Sequence, residues 1–238
     1  MRLSVFFFMA LLVFQASFAQ KTILDPNVQV REVSGFHAIE ISGGIDLFLS
    51  SGEEAVAVSA RDEKARDRIK TEVKDGVLKI YYESKDGVRI SFGNGNEMKA
   101  YVSFKNLDRL VASGGVDVNV EGILKTKSLK LNVSGGVDFK GKVDVEDLQV
   151  EQSGGTDINI SGIAKNIYVD ASGGSDFDGY DLQTENCYAE ASGASDISIT
   201  VNKEFSAEAS GASDVNWKGS ATVKKVKATG AGSVSHKS

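Results

Sequence analysis

Six aspartates recur along the second half of the chain at intervals of 18 to 21 residues. Each closes the same short motif, Ser-Gly-Gly-x-Asp or Ser-Gly-Ala-x-Asp. The aspartates are Asp117, Asp138, Asp157, Asp176, Asp196 and Asp214. A regular series of carboxylates can hold cations, supply acid–base pairs or cap backbone turns, so these six residues are the candidate binding site.

Each kind of chemistry makes a different demand on the motif. In a turn, the carboxylate would accept hydrogen bonds from backbone amides and from the motif Ser, while the glycines would adopt dihedral angles closed to other residues. Calcium needs six to eight oxygen ligands, which stacked Asp and Asn side chains could supply. We therefore expect first that the motif stabilises a turn, here called the corner, through these hydrogen bonds. Calcium binding is the alternative, and the identity of any metal stays open.

Catalysis by this series is not expected. Paired catalytic acids need unequal environments that separate their pKa values, and a uniform series offers none. The chain has no Ser-His-Asp set, His-Glu-x-x-His motif, Walker motif or dinucleotide-binding fingerprint. We predict no catalytic residues.

The residues around each motif predict the elements that position it. Apolar residues alternate before the turn, as in Leu129, Leu131 and Val133, and again after it, as in Val116 and Val118. Period-two alternation on both sides indicates strand–turn–strand in every repeat. Two architectures are compatible with this pattern, and if consecutive strands paired as hairpins the result would be an antiparallel sandwich or barrel. Near-constant spacing and identical corners favour coils that stack in register.

The sequence therefore predicts an all-β fold, a right-handed parallel β-helix (solenoid) of about 19-residue coils. In such coils Val116 and Val118 face inward, while Asp117 and Asn119 face outward. The aspartates would then form a stripe along one edge of the solenoid.

The first half of the chain lacks the regular repeat. It holds one early motif copy, Ser42 to Asp46, which resembles an isolated coil, and a charged segment, Arg61 to Lys70, which predicts a helix. Asp75-Gly76 predicts a hairpin, and Asp86-Gly87 and Gly93 to Asn96 predict loops. We expect a β-rich N-terminal lobe with one short helix that caps the solenoid.

The N-terminus predicts export. Arg2 precedes an apolar run, and small residues at Ala16-Ser17-Phe18-Ala19 indicate cleavage before Gln20. The predicted segments are a signal peptide (1–19), the lobe with its first coil (20–105), β-helix repeats (106–234) and a polar tail (235–238). The expected location is the periplasm, the cell surface or the medium, with no membrane insertion after cleavage.

Charge and cysteine content exclude some functions. The formal net charge is −6 for the whole chain and −7 without residues 1–19, which contain one Arg and no acidic residue. An acidic chain is unsuited to nucleic acid, because phosphate binding needs clustered Lys and Arg. Cys187 has no partner for a disulfide, and we expect a buried, inert thiol.

Several motifs together resemble a known family. The segments FHAIEISGGIDLFL (36–49) and DEKARDRIKTEVKDGVLKI (62–80), followed by the repeated Ser-Gly-Gly-x-Asp, are similar to the bacterial DUF2807 family, labelled putative auto-transporter adhesin, head GIN domain. The resemblance extends over residues 28–228. It implies a β-helix and an exported or cell-surface location, and it supplies no catalytic residue.

The leading functional hypothesis is a non-enzymatic, adhesin-like binding or structural module. It would contact surface glycan, envelope polymer or protein through the flat solenoid faces. Four aromatic residues could serve such a face or, alternatively, simply pack at the coil edges: Tyr168, Tyr180, Tyr188 and Trp217. The alternative is a polysaccharide-processing enzyme on a β-helix scaffold. No cofactor is expected apart from the calcium alternative.

Overall fold

A computed structural model describes residues 25–84 and 97–238. These residues are 71% strand and 2% helix. The N-terminal half contains β1 (Gln29–Arg31), β2 (Ala38–Ser42), β3 (Ile45–Ser51), β4 (Ala55–Ser59), α1 (Glu63–Arg66), β5 (Ile69–Lys74), β6 (Val77–Tyr82) and β7 (Met98–Phe104). The C-terminal half contains β8 (Arg109–Ser113), β9 (Val116–Glu121), β10 (Leu124–Gly135), β11 (Val137–Gly154), β12 (Asp157–Gly173), β13 (Asp176–Ala191), β14 (Asp196–Ala209), β15 (Asp214–Lys218), β16 (Thr222–Ala228) and β17 (Ser233–His236).

The repeats stack as parallel coils. β10 pairs with β11 so that Ser134 lies opposite Ser153 and Gly135 opposite Gly154. The next pair, β11 and β12, continues the register through Asp138 opposite Asp157. Each motif therefore lies on its counterpart one coil of about 19 residues away, and about seven turns build the solenoid. The predicted all-β solenoid is confirmed.

The interior is filled by the alternating apolar residues. One inward column runs through Phe139, Ile158, Phe177 and Ile197, which are each at most 2% exposed. Each such side chain contributes about 1.5–3 kcal/mol when it is fully buried. Large residues from successive coils thus form one continuous core along the axis.

The first motif copy belongs to this same stack. β2 pairs in parallel with both β6 and β8, and β3 pairs in parallel with both β7 and β9. Ser42 consequently lies opposite Ser113, 71 positions later in the chain. The order of the coils therefore differs from the order of the chain, because β6–β7 stack on the outer side of β2–β3.

Antiparallel strands cover the N-terminal end of the stack. β5 pairs antiparallel with β6, and β4 pairs antiparallel with both β7 and β1. The predicted hairpin is confirmed, with positive φ angles of 52° at Asp75 and 75° at Gly76. The predicted loops at Asp86-Gly87 and Gly93–Asn96, and the predicted signal peptide, lie outside the described residues.

The helix is shorter than predicted. It covers only Glu63–Arg66, where the Asp62 carboxylate caps the first turn by accepting the Ala65 N–H at 2.9 Å. The expectation that it continues to Lys70 is wrong. Ile69 is buried and begins β5, so tertiary pairing overrides the helical propensity of the charged segment.

Close backbone contact at the corners explains which glycine of the motif is retained. Gly154 has a φ of +89°, and a Cβ built there would lie 3.0 Å from the Gly135 carbonyl oxygen. At Gly155 the nearest such contact is 3.9 Å, and φ is not in the left-handed region. In these later repeats the second glycine can therefore become Ala, as it does at Ala194 and Ala212, whereas the first cannot.

We expect Gly154→Ala to destabilise the protein by at least about 1–2 kcal/mol, the cost of a left-handed conformation for a residue with a Cβ. Gly155→Ala is the matched control and should change the free energy of unfolding little. Urea denaturation measures both, and equal effects of the two substitutions would contradict the account of the corner.

Gln152 is a buried polar side chain within the core. Gln152 is 2% exposed, and neither its amide oxygen nor its amide nitrogen has a hydrogen-bond partner within the part of the chain that the structure describes. The corresponding residues in the neighbouring coils are apolar, Val133 and Ala171. An unpaired buried polar group costs about 1–3 kcal/mol.

We therefore expect Gln152→Met, which keeps the side-chain length, to raise the free energy of unfolding by about 1 kcal/mol or more. Gln149→Met is the control, because Gln149 Nε2 already donates to Glu151 Oε1 at 2.7 Å. Denaturant titration compares the variants, and a loss of stability in Gln152→Met would show that the amide is satisfied by bound water.

Candidate binding surfaces

The six predicted aspartates form one column. Strand pairing places each opposite the next, in the order Asp117, Asp138, Asp157, Asp176, Asp196 and Asp214. We call this set the Asp column. Their side chains point outward, as predicted, with inward-facing residues on both sides. At the N-terminal end of the column, Asp46 of the early motif copy lies opposite Lys99. At the C-terminal end, Asp214 lies opposite Ser233.

The carboxylates of the Asp column bond to the next coil. Asp196 Oδ1 accepts the backbone N–H of Asp214 at 3.2 Å, and Asp214 Oδ1 accepts the Ser233 hydroxyl at 2.6 Å. Asp176 likewise accepts the backbone N–H of Asp196. The aspartates therefore help to hold successive coils together at the corner.

Like charges also repel along the Asp column. Burial, and then the carboxylates of Asp117 and Asp157, raise the pKa of Asp138 above its usual value of 3.8. Burial, and then Asp157 and Asp196, raise the pKa of Asp176 in the same way. Adjacent parallel strands are about 4.8 Å apart, and each carboxylate inside the column has one carboxylate neighbour in the coil on either side. Among residues 25–84 and 97–238, no group of three or more His, Cys, Asp or Glu side chains is arranged to hold a metal ion.

The corner hydrogen bonds involve a residue that the sequence analysis did not assign to them. Ser195, at the x position of its motif, is buried and its Oγ lies 2.9 Å from the carbonyl oxygens of both Ser192 and Ala171. Ser213 makes the same contacts with Ser210 and Ala191. The signal in the sequence was a Ser at an inward-facing position of several successive repeats.

A second surface lies on the strands that lead into the corners. Tyr168 stacks on Tyr188 in the next coil, with ring centroids 5.8 Å apart and planes 7° from parallel. Glu190 holds both rings, since it accepts the Tyr168 hydroxyl at 3.0 Å and the Tyr188 hydroxyl at 2.7 Å. Glu190 also lies opposite Asp170 and Glu208 in the register. We call these five residues the Tyr–carboxylate face.

The electrostatics of this face leave its tyrosines neutral. The hydrogen bond to Glu190, and then burial, raise the pKa of Tyr188 to about 12. Burial, and then Glu190 and Glu151, raise the pKa of Asp170. The hydrogen bond from Lys225 lowers the pKa of Glu208. At neutral pH the face therefore presents phenol hydroxyls beside several carboxylates.

A shallow groove runs along the Tyr–carboxylate face. Its volume is about 260 Å³, and its polar lining consists of Asp170, Glu190, Ser192, Glu208, Ser210, Lys227 and Thr229. Pockets that enclose drug-sized ligands are larger, about 300–1,000 Å³. The groove can therefore accommodate a small hydroxyl- or amine-bearing unit of a larger ligand.

The other two predicted aromatic residues lie elsewhere. Trp217 is only 7% exposed, because it faces inward opposite Ile199 and stacks on Phe205 at 4.8 Å. Its expected place on an outer face is wrong. Tyr180 is half-buried near the start of β13, where Lys218 Nζ lies 4.3 Å from its ring centre.

Nucleophilic catalysis has no basis at Cys187. The residue is 5% exposed, and burial raises the pKa of its thiol to about 12, so the thiol is protonated at neutral pH. The two histidines lie apart from it, with His37 Nδ1 3.0 Å from Asp108 and His236 over Trp217. The prediction that Cys187 is buried is confirmed.

Comparison with known proteins supports the resemblance noted in the sequence. The model of the DUF2807 family, described as "Putative auto-transporter adhesin, head GIN domain", matches residues 35–221. The chain belongs to this family. No curated protein matched the sequence.

Solved structures share the fold at low sequence identity. A putative adhesin from Bacteroides fragilis superposes with a TM-score of 0.81 at 20% identity, covering 88% of this chain and 96% of its own. A putative adhesin from Parabacteroides merdae gives 0.68 at 17% identity, with 89% and 96% covered. A protein from Parabacteroides distasonis named as a putative lipid binding protein gives 0.66 at 20%, with 90% and 98% covered. In the part of the chain that the structure describes, no helix has the length and apolar character needed to span a bilayer.

The Asp column makes a pH-dependent prediction. Because the pKa of Asp176 is raised in the folded protein, the folded protein binds the proton more tightly than the unfolded chain does. The ionised carboxylate therefore lowers the free energy of unfolding fully at neutral pH, and this loss disappears below about pH 3.8. We expect Asp176→Asn to increase the free energy of unfolding at pH 7 by less than about 1 kcal/mol, because the site is exposed. The melting temperature should rise slightly in consequence. The gain should vanish at pH 3.

Glu72→Gln, at an exposed carboxylate of β5 outside the column, is the control for loss of one charge. The same melts with calcium and with chelator test the metal alternative. A calcium-dependent rise that Asp176→Asn removes would show that the column binds the ion.

Proposed function

We propose that this chain is a non-enzymatic, adhesin-like binding module, and that its Tyr–carboxylate face contacts hydroxyl-rich glycan. The observation that carries the proposal is the Tyr168–Tyr188 stack, fixed by Glu190 and bordered by a polar groove. The family description and the names of two structural neighbours as putative adhesins support the same class of function.

The chemistry of the face suits such a ligand. Sugar hydroxyls donate hydrogen bonds to carboxylates, and Glu190 and Asp170 offer oxygens along the groove, while Ser192 and Ser210 can both donate and accept. On the side away from Tyr168, Tyr188 lies opposite the smaller Ser206 of the next coil, so no second ring stacks on it there. Because tyrosine has few rotatable bonds, it supplies contact area at a low entropic cost.

Charge restricts the ligand further. Three carboxylates, Asp170, Glu190 and Glu208, line the groove, and Lys227 is the basic residue of the lining. Anionic polysaccharides would be repelled by this surface, so the proposal favours neutral or amine-bearing glycans. A location outside the cytoplasm, as the N-terminal sequence predicts, would give the module access to envelope or surface polymers.

We expect Tyr188→Ala to weaken binding to immobilised neutral or amino-sugar polysaccharide by about tenfold, because central aromatic contacts dominate many interfaces. Tyr180→Ala is the matched control, since the same residue type is removed from a different part of the coil. Glycan-array and surface-binding measurements on the folded variants provide the affinities.

Equal binding by the wild type and Tyr188→Ala would exclude this face. Release of sugars from any bound polysaccharide, lost on Glu190→Gln, would instead support the polysaccharide-processing alternative.

A further inference from the structure

The two ends of the solenoid are finished differently. At the N-terminal end, antiparallel strands and α1 cover the stack. At the C-terminal end, β16 pairs with β14 and β17 pairs with β15, and no further described strand adds to either of them. We call β16 and β17 the open end. Such an edge presents free N–H and C=O groups that can pair with another strand.

The open end also exposes side chains of the core register. Val223 lies opposite Phe205, Val226 opposite Ala207, and Ala228 opposite Ala209, so all three continue inward-facing columns. Val223 is nevertheless 48% exposed and Val226 46% exposed. Every residue of β16 is exposed, whereas the inward residues of β14 are buried. The apolar core therefore reaches solvent at this strand.

This end of an acidic protein is basic. Residues 218–238 contain five Lys and no Asp or Glu, although the net charge of the chain is −6. Three of these lysines lie on β16, where Lys224 is 51%, Lys225 60% and Lys227 61% exposed. All three already pair with Glu204 or Glu208 of β14, but their side chains remain more than half exposed, so an acidic partner strand complements this edge better than a basic one.

The paired side of β16 shows what kind of strand fits. β14 places Glu204, Phe205, Ala207 and Glu208 against it, with the apolar residues inward. Glu204 contacts Lys224 at 3.1 Å, and Glu208 contacts Lys225 at 2.5 Å and Lys227 at 3.9 Å. An extended segment that alternates small apolar and acidic residues therefore satisfies the backbone, the core register and the lysines of β16.

We propose that the open end binds an extended acidic strand of a partner polypeptide, which adds to the free edge of β16. The partner would place apolar side chains over Val223 and Val226 and its acidic side chains beside the lysines. Strand addition of this type takes its affinity from main-chain hydrogen bonds and its specificity from alternate side chains. Two copies joined through their open ends would bring two sets of lysines together, which disfavours self-association there.

The test uses a peptide taken from the strand that already fits. The probe has the sequence Glu-Phe-Ser-Ala-Glu-Ala of residues 204–209, and its control carries Lys in place of both Glu. Titration calorimetry on the protein should show saturable binding of the acidic peptide that weakens with added salt. The Lys-containing peptide should bind at least tenfold more weakly.

Protein variants locate the site. Val226→Glu should weaken binding of the acidic peptide at least tenfold, because it places a like charge on the edge and removes the apolar contact. Val30→Glu is the matched control, since Val30 is 71% exposed on β1 at the opposite end and should leave binding unchanged. Lys224→Gln with Lys227→Gln should weaken binding several-fold and reduce its salt dependence. Circular dichroism melts of each variant confirm folding.

Three results would overturn the proposal. One is the absence of saturable binding at millimolar peptide, and another is equal binding by Val226→Glu. The third is a concentration-dependent dimer in sedimentation that Val226→Glu abolishes while the peptide fails to bind, which would identify a second copy as the occupant.

Discussion

The architecture depends on the close stacking of one corner on the next. From Gly135 onward, the first glycine of each motif approaches the backbone of the previous coil so closely that a Cβ at Gly154 or Gly173 would lie 3.0 Å from backbone atoms. At Gly193 the same distance is 2.8 Å. This contact fixes the register of every coil, and with parallel pairing it places equivalent residues directly above one another.

Stacking equivalent residues has favourable and unfavourable consequences. It builds a continuous core and places Tyr168 over Tyr188, where one carboxylate can hold both rings. The same rule places like charges together, which raises the pKa values of Asp138 and Asp176. Backbone amides of the next coil offset part of this repulsion, as at Asp196. At Asp196 and Asp214 the Asp column therefore also links one coil to the next.

The ends of a solenoid pose a separate physical problem, because a coil at the end has only one neighbour. This chain covers its N-terminal end by returning through β4 to β7, which places the first motif copy inside the stack. Its open end instead exposes Val226 beside a row of lysines. The Tyr–carboxylate face lies on the side of the scaffold, whereas the open end lies at its terminus.

The sequence by itself determined the repeated part of the fold. Period-two alternation and a motif that recurs at near-constant spacing depend on local geometry, so they predicted parallel coils, an outward Asp column and a buried Cys187. Tertiary structure decided what depends on contacts distant in sequence. Ser42 lies against Ser113, the helix stops at Arg66, and Glu190 accepts both tyrosine hydroxyls. These outcomes depend on contacts between elements distant in the chain, whereas the inward direction of Trp217 follows from the alternation that also buries Val215.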